Sequence, residues 1–404
     1  MKKLTVFILL LSRLLTGCGA SSATNLMEDV PARVVCLAER PDCAAEATDF
    51  SLRLFQASLA EEGNTLVSPL SVLAALGMTA NGADGETLEQ MESVFGMTTQ
   101  EVNAFVYSFL DGQGDALKMA NSIWLTDDSR FRVSQNFLEA NADFYQADIF
   151  TAPMDGTTLD AINRWVEEKT DGMIPRVLDE IPESAIAYLV NALAFEARWP
   201  EPYRESAVHE SVFTAEDGTE QPVELMYSTE SVYLEDDLAE GFLKYYDGRK
   251  YAFAALLPRE GVSVSEYVQS LTGDHLQNLL AQPQNITVHA AIPKFETEYS
   301  TDLSGVLAEM GMTDAFDPVY ANLTGIGTLE GYNLYLSRVL HKTAITMAEQ
   351  GTKAGAATVV EMVAGAAYIE DIKTVILNRP FVYLLIDCEE NIPFFIGTLM
   401  DAAE

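Results

Sequence analysis

The stretch from Thr352 to Gly365, TKAGAATVVEMVAG, constrains this chain more than any other. It holds no proline and only two charges. Thr352, Ala354, Ala356, Thr358, Val360, Met362 and Ala364 form an even-numbered set that is small or apolar throughout, while Lys353 and Glu361 both fall in the odd set. Strand side chains alternate between faces, so the segment is able to lie in a sheet with its even set buried and both charges in water. Gly351, Gly355 and Gly365 weaken a strand standing alone, and alanine is a poor strand former. Two readings stay open on composition alone: a strand that needs neighbours on both sides, and a small-residue surface loop.

Elsewhere, about 360 residues follow Cys43, a length that by itself suggests two or three domains. Ala44 to Ala60 places Phe50, Leu54, Phe55 and Leu59 at helical spacing, and the apolar run VLAALGMTANGA at 72–83 reads as a buried helix closed by glycine. Residues 118–126 read as a strand, 158–170 as a helix stopped at Asp171-Gly172, and 185–199 as a long apolar strand. Short strands and turns alternate over 204–258, helices are expected within 264–281, sheet over 285–299 and a helix from Asp302 to Met310. Strands at 381–387 and 392–399 close the chain. No linker-like segment or repeat divides it.

Several motifs occur together with the small-residue stretch. Glu349-Gln350-Gly351-Thr352 precedes it, Ser337-Arg338-Val339-Leu340-His341-Lys342-Thr343 lies upstream, and Asn378-Arg379-Pro380-Phe381 follows. Asn64-Thr65-Leu66-Val67-Ser68-Pro69-Leu70-Ser71 lies near the start, and Asn191, Trp199, Pro293-Lys294-Phe295 and Pro393-Phe394-Phe395 lie further on. In order and spacing these resemble the inhibitory serpins over about residues 47 to 401, and the chain is identified as a member of that family. The resemblance implies an α+β fold of three β-sheets with roughly eight or nine helices and an exposed reactive-centre loop over about 351–370, in one domain spanning 47–404.

Function follows from the same resemblance as an expectation. It implies inhibition of serine proteases by a suicide-substrate route: loop cleavage, trapping of the acyl-enzyme, and insertion of the loop into the main sheet. The hinge would comprise Glu349, Gly351, Thr352, Ala354, Ala356 and Thr358, whose even members offer no buried charge to oppose insertion. Family spacing puts the reactive bond at Gly365-Ala366, to within one residue. Small residues there suit the shallow pocket of an elastase-like or subtilisin-like protease, and cysteine proteases stay open as targets. Ser68, Ser71, Asn191 and His341 would form the polar shutter beneath the sheet, and Trp199 with Lys294 the breach above it, Lys294 pairing with Glu349. The competing reading is a non-inhibitory serpin, a cell-surface binding module or a plain protease substrate.

The N-terminus carries an address. Met1-Lys2-Lys3 and an apolar run to Leu15 read as an export signal. Leu15-Thr16-Gly17-Cys18 resembles a bacterial lipobox, with 1–17 as signal peptide, Cys18 lipidated and 18–46 a tether; an ordinary signal peptide cut nearby is the alternative. The expected location is extracellular, held to the membrane through lipid. Cys36 and Cys43 either close a small disulfide loop or stay free, and Cys388 reads as a buried thiol in FVYLLIDC.

Loss of residues 1–17 leaves 21 basic against 61 acidic residues, a formal charge of −40. That excess argues against nucleic acid as a partner. No lysine or arginine occurs between Arg53 and Lys118, where heparin-binding serpins carry their basic helix, so no heparin is expected. With no GxSxG elbow, HExxH helix, P-loop or cysteine-histidine cluster, the chain is read as a monomeric non-enzyme without metal or cofactor.

Overall fold

A computed structural model describes residues 23–35, 37, 42–60, 63–114, 116–181, 186–352 and 372–403. Five long strands form the main sheet, in the order Asp148–Ala152, Leu117–Thr126, Ala187–Phe195, Arg338–Ala348 and Phe295–Asp302. The central strand Ala187–Phe195 is buried at every position, because helices and a second sheet cover both of its faces. Such a strand reads as a continuous apolar run rather than an alternation.

On one face, Ile162, Trp165 and Val166 of the helix Gly156–Lys169 pack over Trp124, Tyr188, Val190 and Leu340. Asp155 caps that helix by accepting from the Thr157 and Thr158 amides. The other face meets the main core, where the second sheet stacks behind it. That sheet runs Val232–Glu235, Ala239–Tyr245, Tyr251–Pro258, Phe381–Asp387, Ile392–Leu399 and Thr65–Val67. Its far side is covered by helices Val264–Ser270 and Gly273–Ala281 through Tyr267, Leu276 and Leu280. A third sheet orders Ile372–Ile376, Thr287–Pro293, Glu220–Glu230 and Val208–Thr214. Among the described residues there are nine α-helices.

Several expectations shift. A fourth, two-stranded ribbon pairs Phe131–Val133 with Gly327–Leu329. The apolar strand of 185–199 breaks at Glu196, and Ala197–Arg198 continues as a separate short strand. The helix expected from Asp302 shortens to Ser304–Glu309, because Asp302 still pairs with Leu340 as the end of a strand. Two helices, Thr99–Gly112 and Gln135–Tyr145, were not anticipated.

The segment expected to be a tether belongs in part to the fold. Thr24–Asn25 pairs with Phe150 and Thr151 at the outer edge of the main sheet. The Arg33 guanidinium donates to Asp143 at 2.7 and 2.9 Å, and its backbone amide donates to the same carboxylate at 2.7 Å. The first helix, Ala44–Ser58, begins before residue 47. Cys43 at its N-terminus is a free, buried thiol, which burial pushes up to about 11; Cys36 and Cys18 lie outside the described residues.

The Thr99–Gly112 helix has a reciprocal cap, in which the Thr98 hydroxyl accepts from the Glu101 amide while Glu101 accepts from the Thr98 amide. Thr98→Ala removes one half of it and should cost about 1 kcal/mol of stability. A lower calorimetric melting temperature is the expected result; an unchanged one would show that the Thr98 hydroxyl contributes nothing.

Candidate functional site

Two strands at the sheet centre define the site. Arg338–Thr343 pairs in parallel with Tyr188–Leu193, and beyond Thr343 that pairing ends. Further up, the hinge residues Gly351 and Thr352 occupy the interval. They pair antiparallel to Ala348 and Met347 on one side and to Arg198 and Ala197 on the other.

Beneath the parted strands lies a polar cluster on one level. Asn121, Asn191 and His341 are cross-strand neighbours on three consecutive strands. The Asn191 amide nitrogen donates to Asn121 Oδ1 at 2.6 Å and to the Ser71 carbonyl at 2.9 Å. Asn191 Oδ1 accepts from the Ser71 hydroxyl at 2.6 Å and lies 3.1 Å from His341 Nδ1. The backbone amide of Ser68 donates to His341 Nε2 at 3.0 Å. Nε2 is therefore the acceptor and Nδ1 carries the proton, which gives a neutral ring with both nitrogens satisfied.

The four expected shutter residues thus come together, with one difference. Ser68 takes part through its backbone, and its buried hydroxyl has no hydrogen-bond partner. Asn121 was missed; its signal was an asparagine inside the apolar strand KMANSIWLT. Thr343 adds a further tie, its hydroxyl donating to the Leu66 carbonyl at 2.7 Å.

Above, the breach residues surround the hinge. Trp199 is buried, its amide donates to the Gln350 carbonyl at 3.0 Å, and its indole nitrogen donates to the Ala348 carbonyl at 3.2 Å. The expected ion pair is present, Lys294 lying 2.9 Å from Glu349 and 2.8 Å from Glu224. The hydrogen bond from Lys294 holds the Glu349 carboxyl below its ordinary range. Both side chains are about one-third exposed, so the pair contributes no more than about 1 kcal/mol. Lys244 was not anticipated: it sits 5.0 Å from the Trp199 ring centre and 4.7 Å from that of Tyr203, and pairs with Glu230 at 2.7 Å.

The expected loop start at 351 is corrected. Gly351 and Thr352 are strand residues inside the sheet, and Thr352 is only 1% exposed. Gly351 has φ +142°, and a Cβ there would run into the Ala197 carbonyl and lie 2.7 Å from Arg198 Cα. Glycine alone suits that approach. Ala354, Ala356, Thr358, Gly365 and Ala366 lie outside the described residues. None of the clustered residues forms a nucleophile and base pair. Among the described residues no group of three or more His, Cys, Asp or Glu is placed to hold a metal.

Burial depresses His341 to about 3. An unfolded histidine takes its proton near pH 6.5, so the ring's contribution is complete above that pH and is lost as pH falls from 6.5 toward 3. The slope reaches about 1.4 kcal/mol per pH unit for one proton. Melting temperatures of the wild type and His341→Gln, taken at pH 7.5 and pH 5, should show the larger acid loss in the wild type. Equal losses would remove His341 from the pH response.

Comparison with known proteins agrees with this geometry. A family model described as serpin (serine protease inhibitor) matches residues 45–402. An uncharacterized serpin-like protein of Thermococcus kodakarensis is 29% identical over 87% of this chain and 84% of its own. The leukocyte elastase inhibitor of Bos taurus is 28% identical over 88% and 98%. Tengpin, a thermophilic serpin solved in its native state, is 42% identical, with a TM-score of 0.90 over 94% of this chain and 100% of that one. By family match, sequence likeness and fold, the chain belongs to the serpins.

Proposed function

We propose that the chain inhibits serine proteases as a suicide substrate. The carrying observation is the sheet that stops pairing above Thr343 and Leu193, with the loop's first two residues already seated antiparallel to both neighbours. A protease serine attacks the Gly365 carbonyl, the Gly365-Ala366 bond breaks, and the Ala366 amine departs while Gly365 stays esterified to the enzyme. The released loop then extends the strand begun at Gly351–Thr352.

Backbone donors and acceptors gain partners on both sides, at a net of about 0.5–1.5 kcal/mol per bond. Ala354, Ala356 and Thr358, on the same parity as buried Thr352, go inward. The uncleaved chain is on this reading a kinetically held state. Insertion that outruns hydrolysis carries the protease along with its acyl bond intact.

Small residues around Gly365-Ala366 favour elastase-like or subtilisin-like targets, and the resemblance to leukocyte elastase inhibitors supports that choice. The same reading places a monomer outside the cell, anchored through lipidated Cys18 and independent of heparin. It rests on residues 1–18 and on the absence of basic residues between Arg53 and Lys118.

Mixing residues 19–404 with elastase, and separately with subtilisin, should give a complex that survives a denaturing gel and a released peptide starting at Ala366. Cleavage without a complex would identify a substrate or binding module instead. Thr352 is buried before cleavage, so a charge there would act on the uncleaved fold as well; Ala354 is the cleaner position. Ala354→Arg would bury an unpartnered cation during insertion and should turn inhibitor into substrate, with the same bond cut. An unchanged stoichiometry of inhibition would overturn inward insertion of the even residues.

A further inference from the structure

The phenol of Tyr246 meets the hinge inside the sheet. Its oxygen lies 2.5 Å from Thr352 Oγ1, and both residues are buried. The Tyr246 ring stacks on Trp199 at 4.4 Å and 8° and takes an edge contact from Phe195 at 5.2 Å and 75°. The Trp199 indole nitrogen in turn donates to the Ala348 carbonyl and its backbone amide to the Gln350 carbonyl, so the phenol packs on the residue that holds the chain on either side of Glu349. Tyr246 follows the second-sheet strand Ala239–Tyr245, which ties the hinge to the sheet behind it. A strand of two residues is too short to hold itself, since few backbone bonds offset the entropy of ordering it.

We propose that Tyr246 is a positioning residue that keeps Thr352 seated before cleavage. Insertion then lengthens an existing strand and starts at residue 353, without first forming its opening pairs. The inference deepens the inhibitory reading and rests on it for its kinetic consequence. The seating itself is a property of the uncleaved protein.

Tyr246→Phe keeps the ring stack and leaves the Thr352 hydroxyl without its partner. Thr352→Val leaves the phenol without one, and the double variant leaves neither orphaned. Hydrogen exchange of residues 349–352 in the uncleaved protein should rise roughly tenfold in each single variant, the size of one buried polar group left unsatisfied. It should rise less in the double variant. With elastase, each single variant should show more cleaved, uncomplexed serpin per complex formed than the wild type. Global melting should move little, which separates positioning from general destabilisation.

Hinge exchange at the wild-type level in Tyr246→Phe, or a rise spread evenly over the whole protein, would overturn the proposal. If the hinge responds as expected while the wild type traps no protease, the seating stands and the inhibitory reading falls. If the wild type traps elastase while hinge exchange ignores both single variants, the reverse holds.

Discussion

Backbone pairing between Arg338–Thr343 and Tyr188–Leu193 holds the centre of the main sheet, and its termination above those residues sets the terms for the rest. A sheet interior requires partners for its amides and carbonyls, so an interval between central strands is a demand on the molecule. The fold meets part of that demand with its own chain. Gly351 and Thr352 enter from the end of the Arg338–Ala348 strand and satisfy both sides at the top.

The surroundings are arranged about this interval. Below it, Asn121, Asn191 and His341 bind three strands through neutral side-chain hydrogen bonds, with Ser68 and Ser71 presented by the start of the buried helix Pro69–Ala80. Each such bond contributes a modest net amount, and an orphaned member costs more than a satisfied one stabilises. The cluster is thus stable when closed and separable in small steps. Above, Trp199 and Tyr246 present a stacked aromatic pair to the hinge, while Lys294 bridges Glu224 and Glu349 at the surface. Hydrogen-bonded side chains locate the strands, and apolar burial on both faces supplies the bulk of the stabilisation.

Much of the fold was legible. The last two strands lie at 381–387 and 392–399 as periodicity and apolar content predicted, because buried, β-branched and aromatic runs admit few alternatives. The helix Thr99–Gly112 was readable in principle from Thr98 and Glu101 at capping-box spacing and from Val102, Phe105, Val106 and Phe109 at helical spacing. In the site, Ser71, Asn191, His341, Trp199, Lys294 and Glu349 were named, and they fall into two groups, Ser71, Asn191 and His341 bonded together below and Trp199, Lys294 and Glu349 about the hinge above. Asn121, Lys244 and Tyr246 were not: Asn121 showed only as a polar residue inside an apolar strand, and Lys244 and Tyr246 join the site from a strand and its end, distant in sequence, with no local pattern of their own.

Which residues are able to face inward if the small-residue stretch becomes a strand was already written in the order of the amino acids, because side-chain parity is a property of the backbone alone. So were the acidic character of the chain and the serpin motifs in their order. Where that strand begins is set by long-range packing. Whether Thr352 lies in the sheet or in a loop depends on the carbonyl of Ala197, the ring of Trp199 and the phenol of Tyr246, which reach the hinge only after two segments distant from it in sequence have packed around it.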